Sequence, residues 1–109
     1  MSNFVEMHVN SKSELDELIK GDIPLVLYFS SASCHVCHSV LPQLIRLIEG
    51  FPVSFVKVKA DEQPEICGQL LVFTVPTILV FYEGKEVLRE SRFIDFNHIE
   101  KALNQILEA

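Results

Sequence analysis

The chain has no tryptophan, only four glycines and only three cysteines in 109 residues. Three cysteines do not make a disulfide scaffold, and one thiol stays unpaired whatever the other two do. Basic residues are also scarce: nine Lys and Arg stand against fifteen Asp and Glu, a formal net charge of −6. That balance argues against nucleic acid or an anionic membrane surface as a partner, since both select a basic face. No apolar run approaches the ~18 residues of a membrane span. Residues 1–10 lack the basic and apolar regions of a secretory signal. The expected setting is a reducing cytoplasm.

What is present is apolar character. Nearly half of the residues, 49%, are hydrophobic, enough to bury a core without a disulfide staple. The length suits one domain over 1–109, with no repeat, low-complexity tract or linker. Ser11 followed by Glu14 reads as a capping box, with Leu15, Leu18 and Ile19 on the apolar face of the helix that follows. Leu25 to Phe29 is continuously apolar, which predicts a strand buried on both faces.

A second helix is expected from near Cys34 towards Gly50, with Pro42 kinking it. Val53 to Val58 reads as a strand, and Pro64 to Leu71 as a short helix. Pro76 to Tyr82 and Glu86 to Phe93 form a hairpin around Gly84, and Asp95 can cap a last helix. Phe29, Phe55, Phe73 and Phe81 are expected in or near the core. The order is βαβαβ then ββα with a short extra helix: an α/β fold, a mixed sheet flanked by helices on both faces.

The chemistry concentrates at Cys34-His35-Val36-Cys37, between a strand and a helix. Residues three apart at a helix start lie on one side, so the two sulfurs can join or separate. Unpaired amides and the helix dipole favour a thiolate on the first cysteine, by about 0.3–2 kcal/mol or up to about one and a half pKa units. Cys34 is then the nucleophile and Cys37 the resolving thiol of a dithiol–disulfide cycle that needs no bound cofactor.

With the Leu25–Phe29 strand, Cys34, Cys37, Pro42, Val56 to Asp61, Val75-Pro76-Thr77 and Glu83-Gly84-Lys85, nearly the whole chain resembles the thioredoxin family. The resemblance implies a thioredoxin fold and reduction of protein disulfides, with electrons from a reductase or a low-molecular-weight thiol. It also implies a cis-proline at Pro76 facing the cysteines. Val75 would pair main chain to main chain with the substrate. A monomer without nucleic-acid or membrane partners is expected.

Four departures accompany the resemblance. Ser33 replaces the tryptophan before the first cysteine, and His35-Val36 replaces Gly-Pro. Tyr28 replaces the buried acid thought to deprotonate the resolving cysteine, so Lys57 is expected to lose its partner. Arg92 and Phe93 stand where a loop glycine is expected. A phenol of reference pKa ~10 is no base near neutrality, so slow resolution is expected. A protonated His35 would favour the Cys34 thiolate and make the protein more oxidising; an exposed His35 without effect is the alternative.

Other readings of the same residues stay open. Cys34-His35-Val36-Cys37-His38 also fits the C-x-x-C-H haem-attachment pattern, and Cys34, Cys37, His38 and Cys67 could supply a zinc tetrad. A non-catalytic binding module of the same fold is a third alternative. Cys67, on an apolar helix, reads first as a packing residue.

Overall fold

The structure, a computed structural model, describes residues 4–108. It comprises β1 (Val5–Met7), α1 (Lys12–Lys20), β2 (Leu25–Ser30), α2 (His35–Ile48), β3 (Ser54–Lys59), α3 (Pro64–Leu70), β4 (Thr77–Tyr82), β5 (Lys85–Ser91) and α4 (Phe96–Glu108). The strands form one sheet in the order β1-β3-β2-β4-β5. β3 pairs in parallel with β1 and β2, while β4 runs antiparallel to β2 and to β5. The parallel half follows from the helical connections and the antiparallel half from the hairpin.

Leu25, Val26, Leu27, Tyr28 and Phe29 are each at most 1% exposed, so β2 is buried on both faces. Val26, Tyr28, Phe55, Ile78 and Val80 pack with α2 and α4 on one side of the sheet. Leu25, Leu27, Phe29, Val56, Val58, Leu79 and Phe81 pack on the other with Leu15 of α1 and with Ile66 and Cys67 of α3. Strand alternation sorts the side chains onto two faces, and the helices supply the stripes that cover them.

Local signals set the ends of these elements. The Ser11 Oγ accepts the Glu14 amide at 3.3 Å, starting α1, and the Gly21 amide bonds Leu18 O at its end. The β4–β5 turn places Glu83 and Gly84 at φ +52° and +81°, the left-handed pair of a type I′ hairpin. Asp95 Oδ1 accepts the His98 amide at 3.2 Å at the start of α4. α2 runs through Pro42 as one helix.

Three details depart from the sequence reading. Phe73 is 80% exposed rather than in the core, because α3 stops at Leu70 and Leu71 turns the chain through φ +58°. Lys57 has Tyr28 rather than an acid at that strand position but is not left alone. Its Nζ lies 3.4 Å from Glu6 Oε2, on the neighbouring edge strand β1, an ion pair the sequence reading did not contain. β5 ends at Ser91, two residues before Phe93, because Arg92 adopts φ +64° and turns the chain away.

Candidate active site

Strand β2 delivers the chain to the cysteine pair. Beyond Ser30 the chain turns, with the Cys34 amide bonded to Ser31 O at 3.2 Å, and Cys34 becomes the N-cap of α2. Its Sγ accepts the Cys37 amide at 3.2 Å, in the place a serine or aspartate oxygen ordinarily takes. The sulfur thus sits against the positive end of a 14-residue helix whose first turn carries no acidic residue. Cys34 and Cys37 are joined as a disulfide, with Cα atoms 5.4 Å apart. Cys34 is half-buried, Cys37 is 3% exposed, and His35 and Val36 between them are exposed. Cys34 is thus the more exposed residue of the pair.

A groove of about 520 Å³ opens beside Cys34, lined by His35, Val36, Val75, Pro76, Arg92 and Phe93. The Val75–Pro76 peptide bond is cis. Neither the amide nor the carbonyl of Val75 takes a main-chain hydrogen bond among the described residues. The carbonyl of Pro76 accepts the Arg92 amide at 2.9 Å, which holds the Arg92-Phe93 turn at the mouth of the groove.

Beneath the pair lies Tyr28, 1% exposed, whose hydroxyl donates to the main-chain carbonyl of Cys37 at 2.6 Å. Burial pushes its pKa up to about 12, so near neutral pH it stays a donor. This bond joins the central strand to the first turn of α2, and no residue spacing advertises it. Lys57, held by Glu6, is directed to the β1 edge. Of the residues singled out in the sequence, the fold brings Cys34, Cys37, His35, Val36, Val75 and Pro76 to one place and Tyr28 beneath it.

The zinc tetrad is not assembled. Cys67 packs on the other face of the sheet, its thiol 3.9 Å from Ala60 O, and burial raises its pKa. Among the described residues no group of three or more His, Cys, Asp or Glu side chains gathers in a metal-binding arrangement. Among the described residues no helix is long and apolar enough to cross a membrane.

Comparison with known proteins gives the same picture. The Thioredoxin family model matches residues 6–105. The thioredoxin-like protein YdfQ of Bacillus subtilis is 37% identical over 99 residues, covering 90% of this chain and 88% of its own. Among solved structures, a mutant thioredoxin from Halobacterium salinarum superposes with a TM-score of 0.85 at 21% identity, covering 100% of this chain and 96% of that one. Thioredoxin O2 from Arabidopsis thaliana in its oxidised state gives 0.76 at 28% identity, covering 95% and 94%. Family, fold and a disulfide-capable C-x-x-C pair support thiol–disulfide oxidoreductase chemistry in general terms. The chain belongs to the thioredoxin family.

Proposed function

We propose that this protein reduces disulfides in other proteins, with Cys34 as nucleophile and Cys37 as resolving thiol. The Cys34 thiolate attacks one sulfur of the substrate disulfide; that bond breaks, and the departing substrate thiolate takes a proton. A mixed disulfide now joins Cys34 to the substrate. Cys37 loses its proton, attacks the Cys34 sulfur and releases the second substrate thiol. Two electrons have passed to the substrate, and the pair is left as a disulfide. A reductase or a low-molecular-weight thiol returns those electrons, so no bound cofactor is required. The working compartment is a reducing cytoplasm and the working form a monomer.

The observation that carries this reading is the position of the Cys34 sulfur. It caps a helix, accepts the Cys37 amide, and opens on a groove beside Val75. Val75 has its main chain free to pair with an extended substrate segment. Resolution is slow in this scheme, because the buried side chain bonded to Cys37 is a phenol with its pKa raised to about 12 rather than a carboxylate.

Insulin reduction with dithiothreitol as donor tests the proposal. Wild type accelerates the reaction, Cys34→Ser falls to the uncatalysed rate, and Cys37→Ser accumulates a mixed disulfide visible by mass spectrometry. Equal rates for wild type and Cys34→Ser would contradict it and leave a binding module of the same fold.

A further inference from the structure

We infer that Arg92 and Phe93 select the substrate: the groove takes an extended protein segment with a bulky apolar residue and a carboxylate flanking its disulfide cysteine. This rests on the oxidoreductase reading above and specifies the partner for the same groove.

The most exposed large apolar side chain of the described residues lines this groove. Phe93 is 91% exposed and lines the groove, and Phe73, 80% exposed, lies two residues before Val75. Val36, which also lines the groove, is 54% exposed. Aromatic and aliphatic side chains held in water beside a reactive sulfur are the composition of a recognition surface rather than of an ordinary protein exterior. The backbone also holds them there against a cost. Arg92 sits at φ +64°, a conformation an arginine adopts at about 1–2 kcal/mol, and its amide is fixed to Pro76 O. The turn therefore presents Phe93 outward instead of letting it fold onto the sheet.

Charge sharpens the assignment. The chain carries fifteen acidic residues against nine basic, yet no carboxylate lines this groove and Arg92 does. Among the described residues the Arg92 guanidinium makes neither an ion pair nor a side-chain hydrogen bond, unlike Arg89, which holds Glu86 and two carbonyls. The groove thus joins an unpaired cation to an apolar wall on a molecule that is negative as a whole. The acids nearest Arg92 in sequence, Glu90 and Asp95, do not line the groove. Glu90 is engaged by His98 and the Asp95 amide, and Asp95 accepts the His98 amide. Arg92 is therefore the charged side chain a bound group meets there. An apolar, acidic segment fits both features. Glutathione disulfide offers carboxylates but no bulky apolar side chain, and is the poorer occupant.

The test uses three peptide disulfides of one length: cysteine flanked by Leu and Asp, by Leu and Lys, and by Gly and Asp. Second-order reduction rates are measured at 0.15 M salt for wild type, Arg92→Gly and Phe93→Ala. Both positions are exposed, and glycine relieves the left-handed backbone at 92, so folding is not at stake. Wild type should prefer the Leu–Asp peptide over Leu–Lys by about threefold, within the roughly fivefold that one exposed ion pair supplies. Arg92→Gly should abolish that ratio, and Phe93→Ala should abolish the preference for Leu–Asp over Gly–Asp. Reduction of all three peptides at equal rates overturns the inference and leaves the oxidoreductase reading intact. Failure of wild type to reduce any of them overturns that reading instead. Peptide titrations of a Cys34→Ser, Cys37→Ser double variant by NMR then decide the inference: the same order of affinity sustains it, and equal affinities overturn it.

Discussion

The hydroxyl of Tyr28 and the carbonyl of Cys37, 2.6 Å apart, tie the central strand to the helix that carries the redox pair. A buried hydrogen bond of this kind contributes about 0.5–1.5 kcal/mol. Tyr28→Phe should therefore lower stability in urea by about 1 kcal/mol while leaving the rate of the proposed resolution by Cys37 unchanged, because a phenol held protonated does not act as a base there. An unchanged urea midpoint, or a further fall in the resolution rate, would show that this account of the residue is wrong. Its pH dependence has a definite sign. The folded pKa, about 12, lies above the ordinary phenol value of 10.0, so the folded state holds the phenolic proton more tightly. The resulting stability is complete below pH 10 and is lost as pH rises through about 12. Wild type should lose stability more steeply than Tyr28→Phe across that window, as followed by alkaline urea titration. Cys67 behaves oppositely to Cys34: burial raises its pKa and covers it, so iodoacetamide at neutral pH should leave it unmodified in the native fold. Labelling of Cys67 as fast as a free thiol would contradict its place in the core. Tyr28 itself was visible in the sequence as a missing acid, but its bond to a main-chain carbonyl was not, since backbone acceptors leave no mark in residue type.

At the scale of elements, Cys34 caps α2 and is also the proposed nucleophile, and two substitutions separate the roles. Both Cys34→Ser and Cys34→Ala remove the disulfide and the activity, yet serine keeps an acceptor for the Cys37 amide. The serine variant should be the more stable by about 1 kcal/mol in chemical denaturation; equal stabilities would mean that the sulfur does not cap α2. The hairpin offers a second case. Glu83 occupies a left-handed position that asparagine adopts more readily, so Glu83→Asn should raise stability by about 0.5 kcal/mol. A loss would indicate that the Glu83 side chain has a role of its own. Elements with strong periodicity or caps were readable directly: β2 from five consecutive apolar residues, α1 from Ser11 and Glu14, the hairpin from Gly84. Short exposed pieces were not. β1 is three residues, all exposed, and takes its identity from pairing with β3 rather than from pattern. Phe73 ends the apolar run Leu70 to Phe73, and only the left-handed turn at Leu71 decides that it points to water.

For the molecule as a whole, a sheet buried on both faces makes a stiff base, and the chemistry sits where β2 ends and α2 begins. The cis Val75–Pro76 segment and the Arg92–Phe93 turn, from distant parts of the chain, close on the same sulfur. The cysteine pair and its helix position were legible because strand-to-helix context gives the C-x-x-C spacing its meaning. The width and charge of the groove were not, because they depend on which loops the β4–β5 hairpin brings back. What the reading requires of the folded protein is a Cys34 sulfur that ionises early and reacts first. The direct measurement is the rate of iodoacetamide modification of the reduced protein against pH, with the modified residue identified by mass spectrometry. A single fast thiol at Cys34, titrating at least half a unit below the free-thiol value of about 8.5, is the predicted result. A Cys34 that titrates at or above that value, or reacts no faster than Cys67, would contradict it.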